Sequence, residues 1–225
     1  MTITDQVLGP LLRADPARPR ITHYDDATGS RVELSGATLA NWAAKTANWL
    51  RDELDVQPGD TVAVLLPPHW QTAGVLLGAW WCGATVTGSS AGAQVTLCGV
   101  DRIADAGSGE VAALGLDALG LGIAVLPPGV RDFASEVRVH GDTFTSGGAG
   151  PDTETLRTAA QTRIAELGLA AGDRLLCTTS WDRTVPGEVL LAVLAADASL
   201  VQCTGIDPAA LPARRAAERT TITLT

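Results

Sequence analysis

The stretch Gly59-Asp-Thr-Val-Ala-Val-Leu-Leu-Pro67 decides the fold. Thr61 to Leu66 is a continuous apolar run bounded by turn signals, the pattern of a strand covered on both faces and therefore central in a parallel sheet. Parallel neighbours need a crossover, and Trp70 to Cys82 reads as its helix, with Gly83 ending it and Ala84-Thr-Val-Thr87 as the next strand. Upstream, Pro58-Gly59-Asp60 stops an amphipathic helix that starts at Ser35 and carries Leu39, Trp42, Ala43, Thr46, Trp49 and Leu50 at i, i+3, i+4, i+7 spacing. Before it, Arg20-Ile-Thr-His-Tyr-Asp25 and Arg31-Val-Glu-Leu34 flank Asp26-Ala-Thr-Gly29-Ser as a hairpin, and Thr4 to Arg13 reads as a short opening helix. Downstream the signals weaken. Gln94 to Cys98 and Glu110 to Gly115 read as strands, Asp101 to Ala106 and Phe133 to Val139 as short helices, and Pro127-Pro-Gly129 as a break.

The same order then returns. Gly59-Asp-Thr-Val-Ala-Val-Leu-Leu, a helix through Gly74-Val-Leu-Leu-Gly-Ala-Trp80, and Gly83-Ala-Thr-Val86 recur as Gly172-Asp-Arg-Leu-Leu-Cys-Thr-Thr, Gly187-Glu-Val-Leu-Leu-Ala-Val193 and Asp197-Ala-Ser-Leu200, 113 residues on with a slip of one at the end. The preceding helix repeats too, through Leu156, Ala159, Ala160, Ile164 and Leu167. The expectation is an α/β protein with doubly wound, mostly parallel sheets in two related lobes, 1–140 and a partial 141–225, which could also form one continuous domain. Any two βαβ units share such a pattern, so the echo alone leaves duplication open.

Composition narrows the function. With 46% hydrophobic residues the 225-residue chain can bury a sizeable core. A formal charge of -9, with the basic residues scattered, repels polyanions and argues against nucleic acid or an anionic membrane surface as partner. The N-terminus shows no basic and apolar leader pattern, and no apolar run approaches the roughly 20 residues of a membrane span, so a cytoplasmic protein is expected. Cys82, Cys98, Cys177 and Cys203 have no ligand spacing and read as buried thiols, with no metal site expected. His23, His69 and His140 lie far apart in sequence and read as structural or surface residues, and the single lysine, Lys45, as a surface residue. The six tryptophans read as core filling more than as a ligand wall.

The run from Val32-Glu-Leu-Ser35 through Val56-Gln-Pro-Gly-Asp-Thr-Val-Ala-Val-Leu-Leu-Pro67 to Leu77-Gly-Ala-Trp-Trp-Cys-Gly-Ala-Thr-Val86 resembles the N-terminal part of the adenylate-forming superfamily, which includes acyl-CoA synthetases, peptide adenylation domains and luciferases. Leu167 to Thr225 looks like the second lobe of that fold, with Asp207-Pro-Ala-Ala-Leu211 and Glu218-Arg-Thr-Thr-Ile222. The chain also resembles a short actinobacterial group related to the superfamily, and 15 Arg against one Lys fits a GC-rich genome. The resemblance implies sheets like those of the N-terminal subdomains of acyl-CoA synthetases, and a Ser/Thr/Gly-rich phosphate loop ending in Pro-Lys before the second-lobe helix.

In that position stands Thr145-Ser-Gly-Gly-Ala-Gly150-Pro-Asp152. Thr145, Ser146, Gly147, Gly148 and Gly150 are thus the candidate nucleotide-binding residues. The family's central hydroxyl pair is here Gly148 and Ala149, no Lys follows, and Asp152 and Glu154 place negative charge where a nucleotide would bring more. The family's aromatic-His motif appears as Ser180-Trp181-Asp182-Arg183, without the His, and Thr225 precedes the family's adenine motif, ribose Asp and catalytic Lys. Gly88-Ser-Ser-Ala-Gly-Ala93 is a secondary candidate, a small anion nest after a parallel strand or a plain loop. The expectation is a non-catalytic relative with no catalytic residues and no obligate cofactor. It would bind a small metabolite, with ATP, AMP or CoA as candidates, or a protein partner. Alternatives are an adenylate-forming ligase completed by a partner subunit and a homodimeric interaction module.

Overall fold

The computed structural model describes residues 1–181 and 186–225. Helix α1 (Ile3–Ala14) is started by a capping box between Thr2 and Asp5. The hairpin β1 (Pro19–Asp25) and β2 (Ser30–Ser35) leads into α2 (Gly36–Asp52), capped by Ser35, and then β3 (Thr61–Leu65), α3 (Trp70–Trp81) and β4 (Thr85–Thr87) form the βαβ unit. β5 (Val95–Gly99), a 3-10 turn at Val100–Asp105, β6 (Glu110–Leu114), β7 (Val130–Asp132) and α4 (Phe133–Val137) follow. The chain continues through α5 (Thr153–Leu167), β8 (Arg174–Cys177), α6 (Glu188–Ala195), β9 (Ser199–Thr204), α7 (Leu211–Ala217) and β10 (Ile222–Leu224).

Two five-stranded sheets result, in the orders β4-β3-β5-β6-β7 and β10-β8-β9-β1-β2. Among the described residues every pairing is parallel except β1 with β2. Sheet membership crosses residue 140: β1 pairs in parallel with β9, Ile21 opposite Leu200 through Asp25 opposite Thr204, so the opening hairpin completes the sheet built by the end of the chain. Ile21, Thr22 and His23 are buried, and a two-stranded hairpin cannot cover such a run on both sides. Between the sheets runs a helical layer. α3 packs on α1 and α2 and reaches β1 of one sheet and β3 and β4 of the other, which is why it is apolar all round and buried from Trp70 to Trp80.

The internal echo is a repeat of hydrogen bonding as well as of sequence. Gly59 and Gly172 share φ of 96° and 91°, and their N–H groups donate to Gly83 O at 2.9 Å and Asp197 O at 3.1 Å. The Asp60 carboxylate accepts from Gln57 N, and that of Asp173 from Ala170 N, both at 2.7 Å. Thr85 N donates to Asp60 O at 2.8 Å and Ser199 N to Asp173 O at 2.9 Å.

Three elements leave no clear trace in the sequence pattern. β7 and β10 are three residues each, and α7 buries no residue at all. α7 is held by charge instead: Arg214 pairs with Asp26 and stacks 4.1 Å over the Tyr24 ring, while Glu218 takes Tyr24, Arg31 and Arg174 together. Burial raises the Glu218 pKa, but hydrogen bonds from Tyr24, Arg174 and Arg31 outweigh it and hold the carboxyl at about 2.

Candidate functional site

The approach to the loop at residues 145–152 is stapled by α2. Lys45 Nζ donates to His140 O at 2.6 Å and Arg138 O at 3.2 Å and pairs with Asp142 at 2.9 Å. Asn48 Nδ2 donates to Gly141 O and Thr143 O, and the Arg51 guanidinium lies 4.8 Å over the Phe144 ring. Lys45, expected at the surface, keeps only 22% of its side chain exposed and serves as a cap for the end of α4.

Of the predicted loop residues, Thr145 and Gly147 are exposed and Ser146, Gly148 and Gly150 half-buried. Ser146 Oγ donates to Asp5 Oδ2 at 3.0 Å, and the same carboxylate takes Trp81 Nε1 at 2.7 Å and Thr2 N at 2.9 Å. Burial pushes the Asp5 carboxyl up, but these hydrogen bonds outweigh it and leave the group below its ordinary value, hence ionised. A phosphate approaching Ser146 would meet that carboxylate. Gly150 lies so close to Gly83 that a Cβ on it would stand 2.6 Å from Gly83 O. Since Gly83 lies two residues before β4 and its carbonyl accepts from Gly59 N just before β3, the loop is seated at the amino ends of β3 and β4.

The carboxyl ends of the same strands open into a cleft of about 350 Å³. Val64, Leu76, Val86, Trp181 and Pro186 supply its apolar walls, and Thr72, Thr87, Ser89 and Arg102 its polar groups. This is where open parallel sheets bind ligands. The secondary candidate segment contributes Gly88 and Ser89 to it. Trp181 is oriented by a hydrogen bond from Nε1 to Gln202 Oε1 at 3.0 Å, and it alone of the six tryptophans lines the cleft; Trp49, Trp70 and Trp80 are core. Asp182 and Arg183 lie outside the described residues. Arg102 escaped sequence reasoning because it sits on a 3-10 turn with no motif around it, and only the strand order brings it beside β4.

At the junction of the two sheets, His23 on β1 meets His69 at the start of α3, ring centroids 4.5 Å apart. Thr204 Oγ1 donates to Tyr24 O, so His23 Nε2 donates to Thr204 at 2.9 Å; His69 Nδ1 accepts from Gln71 N and caps α3. Burial pushes His23 down to about 4, the nearby Asp25 opposing it, and burial together with His23 pushes His69 down to about 3, against Asp117 and Asp25. Both are lowered from 6.5, so the unfolded chain binds more protons than the folded one below that pH. Their contribution is complete above about pH 6.5 and drains as the pH falls toward 4 and then 3. Glu218, lowered from 4.5 to about 2, adds a loss over the lower window. Urea unfolding across a pH series should show stability flat from about pH 7 to about pH 8, below the range where the buried thiols such as Cys82, pushed up to about 12, begin to cost stability, and falling below pH 6.5; His69→Asn, which still caps α3 but does not titrate, should flatten the upper part of that fall.

The AMP-binding enzyme family matches residues 13–95. A protein of Mycobacterium tuberculosis (strain ATCC 25618 / H37Rv), the TIGR03089 family protein, is 50% identical over 237 residues, covering 98% of this chain and 97% of the relative. The chain belongs to the TIGR03089 family. Its fold is that of the N-terminal region of acyl-CoA synthetases. The acyl-CoA synthetase of Brucella canis superposes with a TM-score of 0.78 at 16% identity over 99% of this chain. The N-terminal domain of FACL13 from Mycobacterium tuberculosis gives 0.73 at 18% over 98%, and a fatty acyl CoA synthetase of the same organism 0.74 at 17% over 97%. The chain spans 47%, 61% and 48% of those structures respectively. The chain therefore shares with those structures a fold of two mostly parallel α/β sheets. Among the described residues no helix is long and apolar enough to cross a membrane, and no cluster of side chains could hold a metal ion.

Proposed function

We propose that this chain is a non-catalytic, cytoplasmic relative of AMP-forming acyl-CoA synthetases that binds a small amphipathic metabolite in the cleft at the carboxyl ends of β3 and β4. One observation carries the reading: loop and cleft lie at opposite ends of the same strands. β3 is five residues long, so on the order of 15 Å of sheet separates them. A phosphate held at Ser146 and a substrate held beside Arg102 would be too far apart for one to attack the other, since reacting atoms must come within about 3.5 Å. The Asp5 carboxylate at Ser146 and Asp152 at the start of α5 weigh against phosphate independently, whereas Glu154 is paired with Arg157. The cleft keeps what recognition needs: an apolar floor, two hydroxyls at Thr87 and Ser89, and the guanidinium of Arg102, whose Nε is held by Asp105 at 2.9 Å and whose remaining N–H groups would serve one anionic group.

The test is a thermal-shift and calorimetric screen against ATP with magnesium, AMP, CoA and acyl-CoAs. A ligand at 100 times its dissociation constant raises stability by about 2.7 kcal/mol. The cleft reading expects Arg102→Ala to weaken the hit about tenfold and Ser146→Ala to leave it unchanged. Nucleotide binding lost in Ser146→Ala but kept in Arg102→Ala would place the ligand on the loop and reopen the case for catalysis.

A further inference from the structure

The first turn of α3 carries a hydrogen-bonding deficit. Trp70 is 3% and Gln71 1% exposed, yet Trp70 Nε1 and both Nε2 and Oε1 of Gln71 have no hydrogen-bond partner among the described residues. Burying a polar group unmet is costly, and here three such atoms occur on consecutive residues. Their neighbours are satisfied: His69 Nδ1 takes Gln71 N, and Thr72 Oγ1 donates to Pro67 O at 2.8 Å.

Over these groups lies the connection from β6 to β7, residues 115–129, which has no regular secondary structure. Structureless connections of that length are uncommon in a compact fold and are usually either functional loops or linkers; the contacts of this one with α3 distinguish it from a linker. Gly120, at φ +63°, rests against the pair so closely that a Cβ would stand 2.9 Å from the Trp70 ring and 3.4 Å from Gln71 Nε2. The segment meanwhile holds Leu119, Leu121 and Val125 out in solvent, Leu119 at 71% exposure. It is tied down by polar contacts. The Asp117 carboxylate accepts from Leu119 N and Leu121 N, both at 2.7 Å, and Arg138 Nη2 donates to Gly120 O at 2.6 Å. Apolar side chains face water above while polar groups go unmet below, the reverse of what a permanently closed loop would select.

We propose that Trp70 and Gln71 form a ligand site capped by residues 115–125, and that its ligand is a flat, uncharged amide: a carboxamide or a ring lactam. The unmet atoms define that class. Gln71 presents an acceptor and a donor side by side and Trp70 one more donor, so a ligand edge with one N–H donor and one carbonyl oxygen, which accepts from both donors, completes them. Charge points the same way. His69 stays neutral beside the site, Asp117 lies near it, and the Arg138 guanidinium is engaged by loop carbonyls, which leaves an anion nothing to pair with. Trp42, 5.2 Å from the Trp70 ring, extends an aromatic wall. The site is separate from the cleft and stands whether or not the cleft is occupied.

Nicotinamide and 2-pyridone are titrated into the full chain and followed by tryptophan fluorescence and calorimetry, with benzoate as the charged counterpart of nicotinamide. Both amides should quench saturably, and benzoate at least tenfold more weakly. Gln71→Met, which swaps an unmet amide for an apolar side chain of similar size, should raise the melting temperature by about 3 °C and abolish the quench. A lower melting temperature in that variant, no saturable quench by either amide, or benzoate binding as tightly as nicotinamide each overturns the proposal.

Discussion

Gly78→Ala should destabilise the protein by about 3 kcal/mol, although alanine is the better helix former by about 1 kcal/mol. α2 and α3 cross at this residue. A Cβ on Gly78 would lie 2.5 Å from Thr46 Cβ, 2.7 Å from Thr46 Cγ2 and 2.8 Å from Ala43 O, and two of those three atoms cannot move without moving α2. α2 is itself wedged between α3 and β1, so the strain spreads into a close-packed interior instead of relaxing at a surface. Gly74 is the control. One turn earlier on the same face, its added Cβ would stand 3.1 Å from Trp42 Cβ, so α2 need give by only a few tenths of an ångström, and Gly74→Ala should cost about 1 kcal/mol or less. Urea denaturation of both variants reads the difference. A neutral or stabilised Gly78→Ala would mean that propensity outweighs packing and that the crossing is looser than the distances say.

The second large effect lies at the end of the repeat, where the two halves differ. Gly83, at φ +85°, has Asp197 as its counterpart, a non-glycine residue held at φ +54°. The carboxylate explains the exception: Asp197 Oδ1 takes Arg20 Nη1 at 2.7 Å, and Arg20 is 1% exposed on β1. That pair ties the opening hairpin to the sheet it completes. Asp197→Asn keeps a residue that tolerates the left-handed conformation while removing the charge, and should cost about 2 to 3 kcal/mol through the buried guanidinium left behind, discounted because Asp197 is itself 45% exposed. Asp197→Ala should cost about 1 kcal/mol more, the backbone strain now uncompensated. Combining Asp197→Gly with Arg20→Met should recover most of the loss, since no charge remains buried. A double variant as unstable as Asp197→Asn would show that Arg20 contributes through packing alone.

Much of the architecture was legible because it rests on local rules. The run at 61–66, the helix at 70–81 and the glycine after it have the composition of a buried βαβ unit, since parallel strands lose solvent on both faces. The second copy carried the same composition and was read by comparison with the first. What stayed illegible is held by contacts between distant residues. α7 has no apolar stripe, because Arg214 and Glu218 anchor it to Asp26, Arg31 and Arg174, far away in the chain. Lys45 looked like a surface lysine, since nothing near it in sequence announces the carbonyls of residues 138 and 140.

The candidate sites divide in the same way. That residues 145–152 lack a lysine and carry acidic neighbours is a property of the sequence alone, because it depends only on which residues are present. That Ser146 is held by Asp5, that the loop lies at the amino ends of β3 and β4, and that Arg102 and Trp181 meet across the cleft at the other end were decided by tertiary structure. Periodicity records which face of an element is buried, and composition records its charge. Neither records which strand becomes its neighbour. That choice is made by the summed burial of both sheets against one helical layer, and it is what brought β1 beside β9 and a cleft to the carboxyl ends of β3 and β4.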